Sequence, residues 1–342
     1  MTIRSRAPLR IGLAGGGTDV SPFCDLYGGA VLNATISMYA YCTIQARTDG
    51  KILFEATDRK EKFETQAESF IPIDGNLPLH KGIYNFIVRT YNGGEPLPIT
   101  VTTYSDAPAG SGLGSSSTMV VAILKAYIEM LKIPLGEYDI AKIAYVIERE
   151  EVGLSGGKQD QYAATFGGFN FMEFTKDNVI VNPLRIKRWI INELECSLIL
   201  YFTGVSRSSA EIIDHQIESA KKHDALSLGA MEELKKQAYA MKNALLLGDI
   251  DELCGIMNQS WQAKKKVSAA ISNADIDKIY DFVMANGGKA AKISGAGGGG
   301  FMMILCDPAK RKDLFDKLEK LDGKPYTVNF ELDGTRGWTI YE

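Results

Sequence analysis

Histidine is scarce and cysteine is scattered. The three histidines (His80, His215, His223) stand far apart, and the five cysteines (Cys24, Cys42, Cys196, Cys254, Cys306) are an odd number with no C-x-x-C pair. That pattern excludes a zinc site and a disulfide frame, and it suits free thiols in a reducing cytoplasm. His215 and His223 read as helix-surface residues. No apolar run approaches the length of a membrane span, and the opening MTIRSRAPLRIGLAGGG has no signal-peptide core. An excess of positive charge is missing too. Lys and Arg total 38 against 42 Asp and Glu, a net −4 that argues against a broad nucleic-acid footprint. There is no internal repeat, low-complexity tract or evident flexible linker.

What the chain does have is glycine, 34 of them in 342 residues, gathered into loops. The length favours two domains, and the composition changes around residues 185 to 195, which divides the chain into 1–188 and 189–342. The most informative stretch is DAPAGSGLGSSSTMVVAI, from Asp106 to Ile123. It joins a β-rich run, Ile99 to Tyr104, to an apolar helical run from Thr118 to Leu131. Gly110, Gly112 and Gly114 alternate with Ser111 and Leu113, so the backbone can turn sharply and approach a ligand with no Cβ in the way. Ser115, Ser116 and Ser117 fall where the helix begins, and free N–H groups and the positive end of the helix dipole converge there on an anion. G-x-x-x-x-G-K-[S/T] is excluded because no lysine follows a glycine of this loop, and G-x-G-x-x-G fails at Ser115. Taken alone, the stretch also reads as an ordinary serine-capped β–α turn.

Two further glycine loops flank it in sequence. Residues 3 to 14 read as a strand broken by Pro8, running into Gly15-Gly16-Gly17, Thr18 and Asp19. Asp19 either reaches into a cleft to accept hydrogen bonds from hydroxyls or caps a following helical turn. Near the end, KAAKISGAGGGGFMMIL (Lys289 to Leu305) satisfies G-x-G-x-x-G at Gly295, Gly297 and Gly300, but a strand follows where a helix is needed, so it reads as a tight loop between two strands. Between the second and third glycine loops, Glu137 to Glu151 reads as one helix ending in Glu148-Arg149-Glu150-Glu151. A GLSGG loop then leads to Lys158, Gln159, Asp160 and Gln161. Asp160, set among amides and glycines, is a functional carboxylate or a loop cap. Residues 58 to 78 show no clear period. Cys196 to Phe202 reads as a buried strand, Thr203 to Ser209 as a polar loop, and Tyr326 to Glu331 and Trp338 to Tyr341 as strands. Lys264-Lys265-Lys266 reads as a solvated helix face, with a ligand role as the less favoured alternative.

RAPLRIGLAGGGTD (Arg6 to Asp19), PAGSGLGSSS (Pro108 to Ser117) and KISGAGGGGF (Lys292 to Phe301) together resemble the three signature motifs of the GHMP small-molecule kinases, which include galactokinase, homoserine kinase, mevalonate kinase and phosphomevalonate kinase. The resemblance spans nearly the whole chain. It implies an α+β fold, with an N-terminal domain like the second domain of ribosomal protein S5 and a ferredoxin-like C-terminal domain. It also implies ATP and Mg²⁺. Residue by residue, Gly110 to Ser117 would wrap the ATP phosphates, Ser116 and Glu148 would hold the metal with Glu151 as a substitute, and Asp160 paired with Arg10 would be catalytic. Gly16, Gly17, Thr18, Asp19, Gly297 and Gly298 would line the substrate side. Where galactokinase carries Gly-Glu-His, this chain has Gly15-Gly16-Gly17, a loss of two polar side chains that argues against galactose. AGGGTD, GGKQDQYAATFGG and FTGVSRSS look most like the kinases that act on D-glycero-D-manno-heptose 7-phosphate, followed by fucokinase domains. A phosphorylated substrate needs a second anion site, for which Arg207 with Ser208 and Ser209, or Lys158, are the candidates. The product would plausibly feed nucleotide-sugar synthesis. The competing readings are another sugar kinase, a non-catalytic sugar and ATP sensor, and a decarboxylase of this fold.

Overall fold

The computed structural model describes residues 1–204, 213–214 and 225–341. β1 (Thr2–Ala14) runs antiparallel to the 18-residue β2 (Gly29–Ala46). Pro8 does not break β1. It sits at a register shift between Pro8 and Arg10, where a missing N–H costs no ladder bond. On its other edge β2 serves two partners, β6 (Phe169–Phe174) along Gly29 to Ala34 and β5 (Ile99–Ser105) along Ala40 to Ala46. β3 (Lys51–Ala56) lies parallel to β5, and β4 (Glu61–Gln66) forms the edge beside β3. β7 (Val179–Pro183) extends β6. β4 falls inside the stretch expected to be irregular. Phe63 is its one large apolar side chain, so its order comes from pairing with β3 and not from any alternation of its own.

Six α-helices lie in the first 204 residues, and three carry the site. α1 (Phe23–Tyr27) follows the first glycine loop, and α2 (Pro78–Tyr91) precedes β5. α3 (Ser115–Leu131) is apolar around most of its circumference and correspondingly buried, with Val120 to Leu124 fully enclosed. α4 (Glu137–Val146) does not continue to Glu151 as a regular helix, because Ile147 to Glu151 forms a single π-helical turn, a device common at functional sites. α5 (Gln159–Phe166) precedes β6. α6 (Arg188–Ser197) corrects the expected strand from Cys196: Ile190, Ile191, Leu194 and Ser197 recur at helical spacing on one buried face, and β8 begins at Leu198.

The second sheet is antiparallel in the order β11–β8–β10–β9, from β8 (Leu198–Phe202), β9 (Gly288–Ile293), β10 (Phe301–Cys306) and β11 (Lys324–Tyr326). The expected strand from Tyr326 to Glu331 ends at its first residue, because Asn329 and Glu331 turn to bond Ser37 and Thr35 of β2, leaving one isolated bridge at Phe330. β12 (Arg336–Ile340) then returns to the first sheet and pairs with β1, Thr2 lying opposite Ile340. One core cluster joins the halves, with Leu9, Ile11 and Leu32 packing with Met241 and Met257 of two later helices and with Phe301 and Met303 of β10.

Candidate active site

The hairpin between β9 and β10 and the loop before α3 meet at backbone distance. Gly112 and Gly114 have φ of 79° and 75°, a region that strains any residue with a Cβ. An added Cβ at Gly112 would lie 2.4 Å from the Ser294 carbonyl oxygen, and one at Gly114 would lie 3.1 Å from the Asp160 carboxyl carbon. Ser111 is buried and shares a 2.9 Å hydrogen bond with Ser115, while Leu113 is anchored in the core. The N-terminus of α3 carries no side-chain cap, so its first N–H groups point into the cavity past Gly114. An anion is the natural cap.

Arg10 and Asp160 form the charged centre. Arg10 is 4 % exposed, and its Nε and Nη2 both lie 2.7 Å from Asp160 Oδ1. Its Nη1 donates to the Gly112 carbonyl at 2.6 Å, which links the pair to the glycine loop. Asp160 stands in the first turn of α5. Asp19 lines the same cavity, and both of its readings are visible in its contacts. Its oxygens accept the backbone N–H and side-chain amide of Gln159, each at 3.0 Å, and the Gly17 N–H at 3.2 Å. Burial, reinforced by the Asp160 charge, pushes its carboxyl above the ordinary range. Gly157 leaves the room it needs, since a Cβ there would sit 1.9 Å from Asp19 Oδ2.

Glu148 is fully buried in the π-helical turn, an arrangement that turns its carboxylate toward α3. Ser116 donates to its Oε1 at 2.8 Å, Gln161 donates to its Oε2 at 2.7 Å, and Arg149 lies 3.3 Å away. Ser117 takes donors from Arg149 and Gln161. Glu151 points elsewhere and pairs with Arg89. A carboxylate and a hydroxyl at a helix start form a hard-oxygen pair that suits Mg²⁺, with phosphate oxygens and water completing its shell. Among the described residues no group of three or more His, Cys, Asp or Glu stands together, so the protein's share of such a shell would be small.

These groups line one cavity of about 520 Å³, within the usual range for a small-molecule site. The polar Asp58, Arg59 and Ser105 line it as well, and Ala56, Leu77, Pro78, Leu79 and Met119 give it an apolar part of the wall. His80 beside them bonds Thr103 at 2.9 Å, and burial, helped by Arg59, lowers its pKa to about 3, so it is neutral. Gly17 also lines the cavity. Gly16 lies just behind it, where an added Cβ would be 3.7 Å from Lys264 Nζ. The Thr18 hydroxyl is committed to the carbonyls of Gly15 and Ala30 and holds the loop onto β2. From the third loop Gly295 and Ala296 reach the cavity, whereas Gly297 and Gly298 pack against Ile271. Lys158 is tied to Asp25 and the Thr175 carbonyl and is not part of the lining. Arg207, Ser208, Ser209, His215 and His223 lie outside the described residues.

Lys264 corrects the reading of a solvated lysine face. It is 5 % exposed, lines the cavity, and donates from Nζ to the Gly295 carbonyl. The signal was helical period: Leu253, Met257, Ser260, Trp261, Lys264 and Val267 share the buried face of the helix Ile250–Val267. Burial, then repulsion by Arg10, lowers its pKa to about 8 against the pull of Asp19 and Asp160.

Comparison with known proteins gives the same outline. The family model described as GHMP kinases N terminal domain matches residues 78–168, and that described as GHMP kinases C terminal matches 223–323. The chain is 49% identical, over 99% of both sequences, to the D-glycero-alpha-D-manno-heptose 7-phosphate kinase of Campylobacter jejuni. It is 25% identical to a galactokinase of Thermotoga neapolitana over 97% of this chain and 96% of that one. Among solved structures it is similar to a D-glycero-D-manno-heptose 1-phosphate kinase from Bacteroides thetaiotaomicron, with 47% identity, a TM-score of 0.85 and coverage of 99% and 100% of the two chains. With three glycine loops converging on one cavity and both family models placed in order along it, the chain belongs to the GHMP kinases.

Proposed function

We propose that this chain is a cytoplasmic sugar kinase that transfers the terminal phosphoryl group of ATP to the anomeric hydroxyl of D-glycero-D-manno-heptose 7-phosphate. The observation that carries the chemistry is the Arg10–Asp160 pair set directly against the uncapped start of α3. The heptose follows from the relatives. One is named for the 7-phosphate and another for the 1-phosphate, and both are close to half identical to this chain. An anomeric hydroxyl as acceptor requires the existing phosphate to be elsewhere, at position 7.

In this reading the polyphosphate lies along Gly110 to Ser117, and the base lies against the apolar part of the wall near Leu77, Leu79 and Met119. Ser116 and Glu148 would hold Mg²⁺, which when bound neutralises charge on the phosphates. Asp160 orients the sugar hydroxyl and accepts its proton as the oxygen attacks. Arg10 holds Asp160 in place, and Gly112 fixes Arg10 through its carbonyl. Asp19, held by Gln159, positions the sugar beside Asp160. Phosphoryl transfer asks little covalent work of the protein, so alignment and charge neutralisation supply the rate. Arg207 is the proposed seat of the 7-phosphate. The two sheets suggest a functional division near residue 188, with β12 returned to the first half.

The test is ADP release with Mg-ATP across heptose 7-phosphate, heptose 1-phosphate, free heptose, fucose and galactose. Asp160→Asn should lower kcat on the order of 10²–10⁴-fold. Arg207→Ala should raise KM for the 7-phosphate sugar and leave KM for ATP alone. Turnover of a free sugar as fast as the 7-phosphate would remove the second anion site from the proposal. Sugar and ATP binding with no turnover anywhere on the panel would mean a sensor.

A further inference from the structure

Lys264 has no role in the mechanism above, yet it is among the most enclosed charges of the cavity. It comes from the second half of the chain, from a helix that carries none of the glycine motifs. Its Nζ reaches over Gly16 of the first loop and holds the carbonyl of Gly295 in the third. Gly295 in turn packs on Gly112 of the second loop, where a Cβ would meet the Gly112 backbone at 2.6 Å. Gly112 accepts Arg10, and Arg10 holds Asp160. The ammonium therefore sits where all three loops meet, between the phosphate loop and the residue that orients the acceptor.

Among the described residues its charge has no ion-pair partner: no carboxylate lies within 4 Å of Nζ, and its one hydrogen bond is to a neutral carbonyl. Asp160 is committed to Arg10, and Asp19 to Gln159 and Gly17. A buried lysine without a partner is costly unless a ligand brings the missing negative charge. We infer that Lys264 is a binding and catalytic residue for the phosphoryl group being transferred, gripping the terminal phosphate of ATP from the side opposite the start of α3. The alternative anion, the phosphate already on the sugar, would lie several bonds from the reacting hydroxyl. Lys264 instead faces the pair that handles that hydroxyl. This inference rests on the kinase reading and goes beyond it by naming the group that neutralises the moving charge from the second half.

The experiment compares titrations of Mg-AMP-PNP and Mg-ADP by calorimetry, on wild type, Lys264→Met and Lys264→Arg. Loss of one charge-assisted contact to the terminal phosphate should weaken AMP-PNP roughly 10–100-fold in the Met variant and leave ADP unchanged, with Arg restoring much of the loss. A Met variant that melts no lower than wild type excludes simple unfolding. Equal weakening of both nucleotides, or no change in either, overturns the inference. So does an intact AMP-PNP affinity combined with a raised KM for the sugar phosphate. A pH series adds a readout that a structural lysine would not move. The charged groups facing Nζ are Arg10 from β1, Asp19 from the loop after it and Asp160 from α5, with Lys292 of β9 nearby. Lys264 is cationic below about 8, so kcat/KM for ATP should fall as pH rises through that value, and the fall should vanish in Lys264→Arg. Neither titration contains a sugar. Silence of the wild type toward heptose 7-phosphate would therefore sink the substrate assignment while leaving this comparison to stand or fall by itself.

Discussion

Glu148 has both carboxylate oxygens engaged, by Ser116 on one side and Gln161 on the other, and is sealed from solvent. Replacing it by Gln keeps the shape and removes the charge. The Mg²⁺ concentration for half-maximal rate should then rise by at least the roughly 10–100-fold that follows loss of a group supporting a metal. Titrating Mg²⁺ at fixed ATP measures this, and an unchanged midpoint would place the metal elsewhere. Residues of this kind were legible in the chain when a motif framed them. Arg10, Ser116, Glu148 and Asp160 were named from short runs of sequence, and the fold brings them to one cavity. Lys264 was read as solvent-facing charge, with a ligand role as the less favoured alternative. Three consecutive lysines look like a solvated face, and only the helix period separates it from Lys265 and Lys266. The choice between Glu148 and Glu151 could not be made from spacing, because the π-helical turn between them rotates one inward and the other toward Arg89.

At the scale of elements, the glycine loops work as close-packed surfaces. Gly112→Ala puts a Cβ against the Ser294 carbonyl and forces a left-handed φ, so the loop must move off the β9–β10 hairpin. Strain of this sort costs about 1–3 kcal/mol. The expected outcome is a higher KM for ATP together with a lower Tm, read by steady-state kinetics and thermal unfolding. A variant with a lower Tm and an unchanged KM would detach this loop from the phosphates. The long strands and α3 were evident from period and composition. β4 and α6 were not. β4 has a single large apolar residue and borrows its order from β3, while α6 abuts β8 without an intervening turn residue. No local pattern marks either boundary.

For the whole molecule, the question is whether two sheets make one cooperative unit. Core residues from β1, β2, two later helices and β10 pack in a single cluster, so the halves should unfold together. Calorimetry should show one transition, and nucleotide at 100 times its Kd should stabilise all of it by about 2.7 kcal/mol. Two transitions, with nucleotide moving only one, would show that the halves melt separately. The pairing of β1 with β12 has a different consequence, for the order in which contacts can form. The two strands are separated in sequence by every other strand and helix described above, so this pairing is among the most non-local in the fold. Until it forms, the outer edge of β1 carries an unpaired row of backbone donors and acceptors, the kind of edge on which other chains add. Closure of the first sheet is therefore a late contact between distant segments, and until then this kinase depends on whatever covers β1.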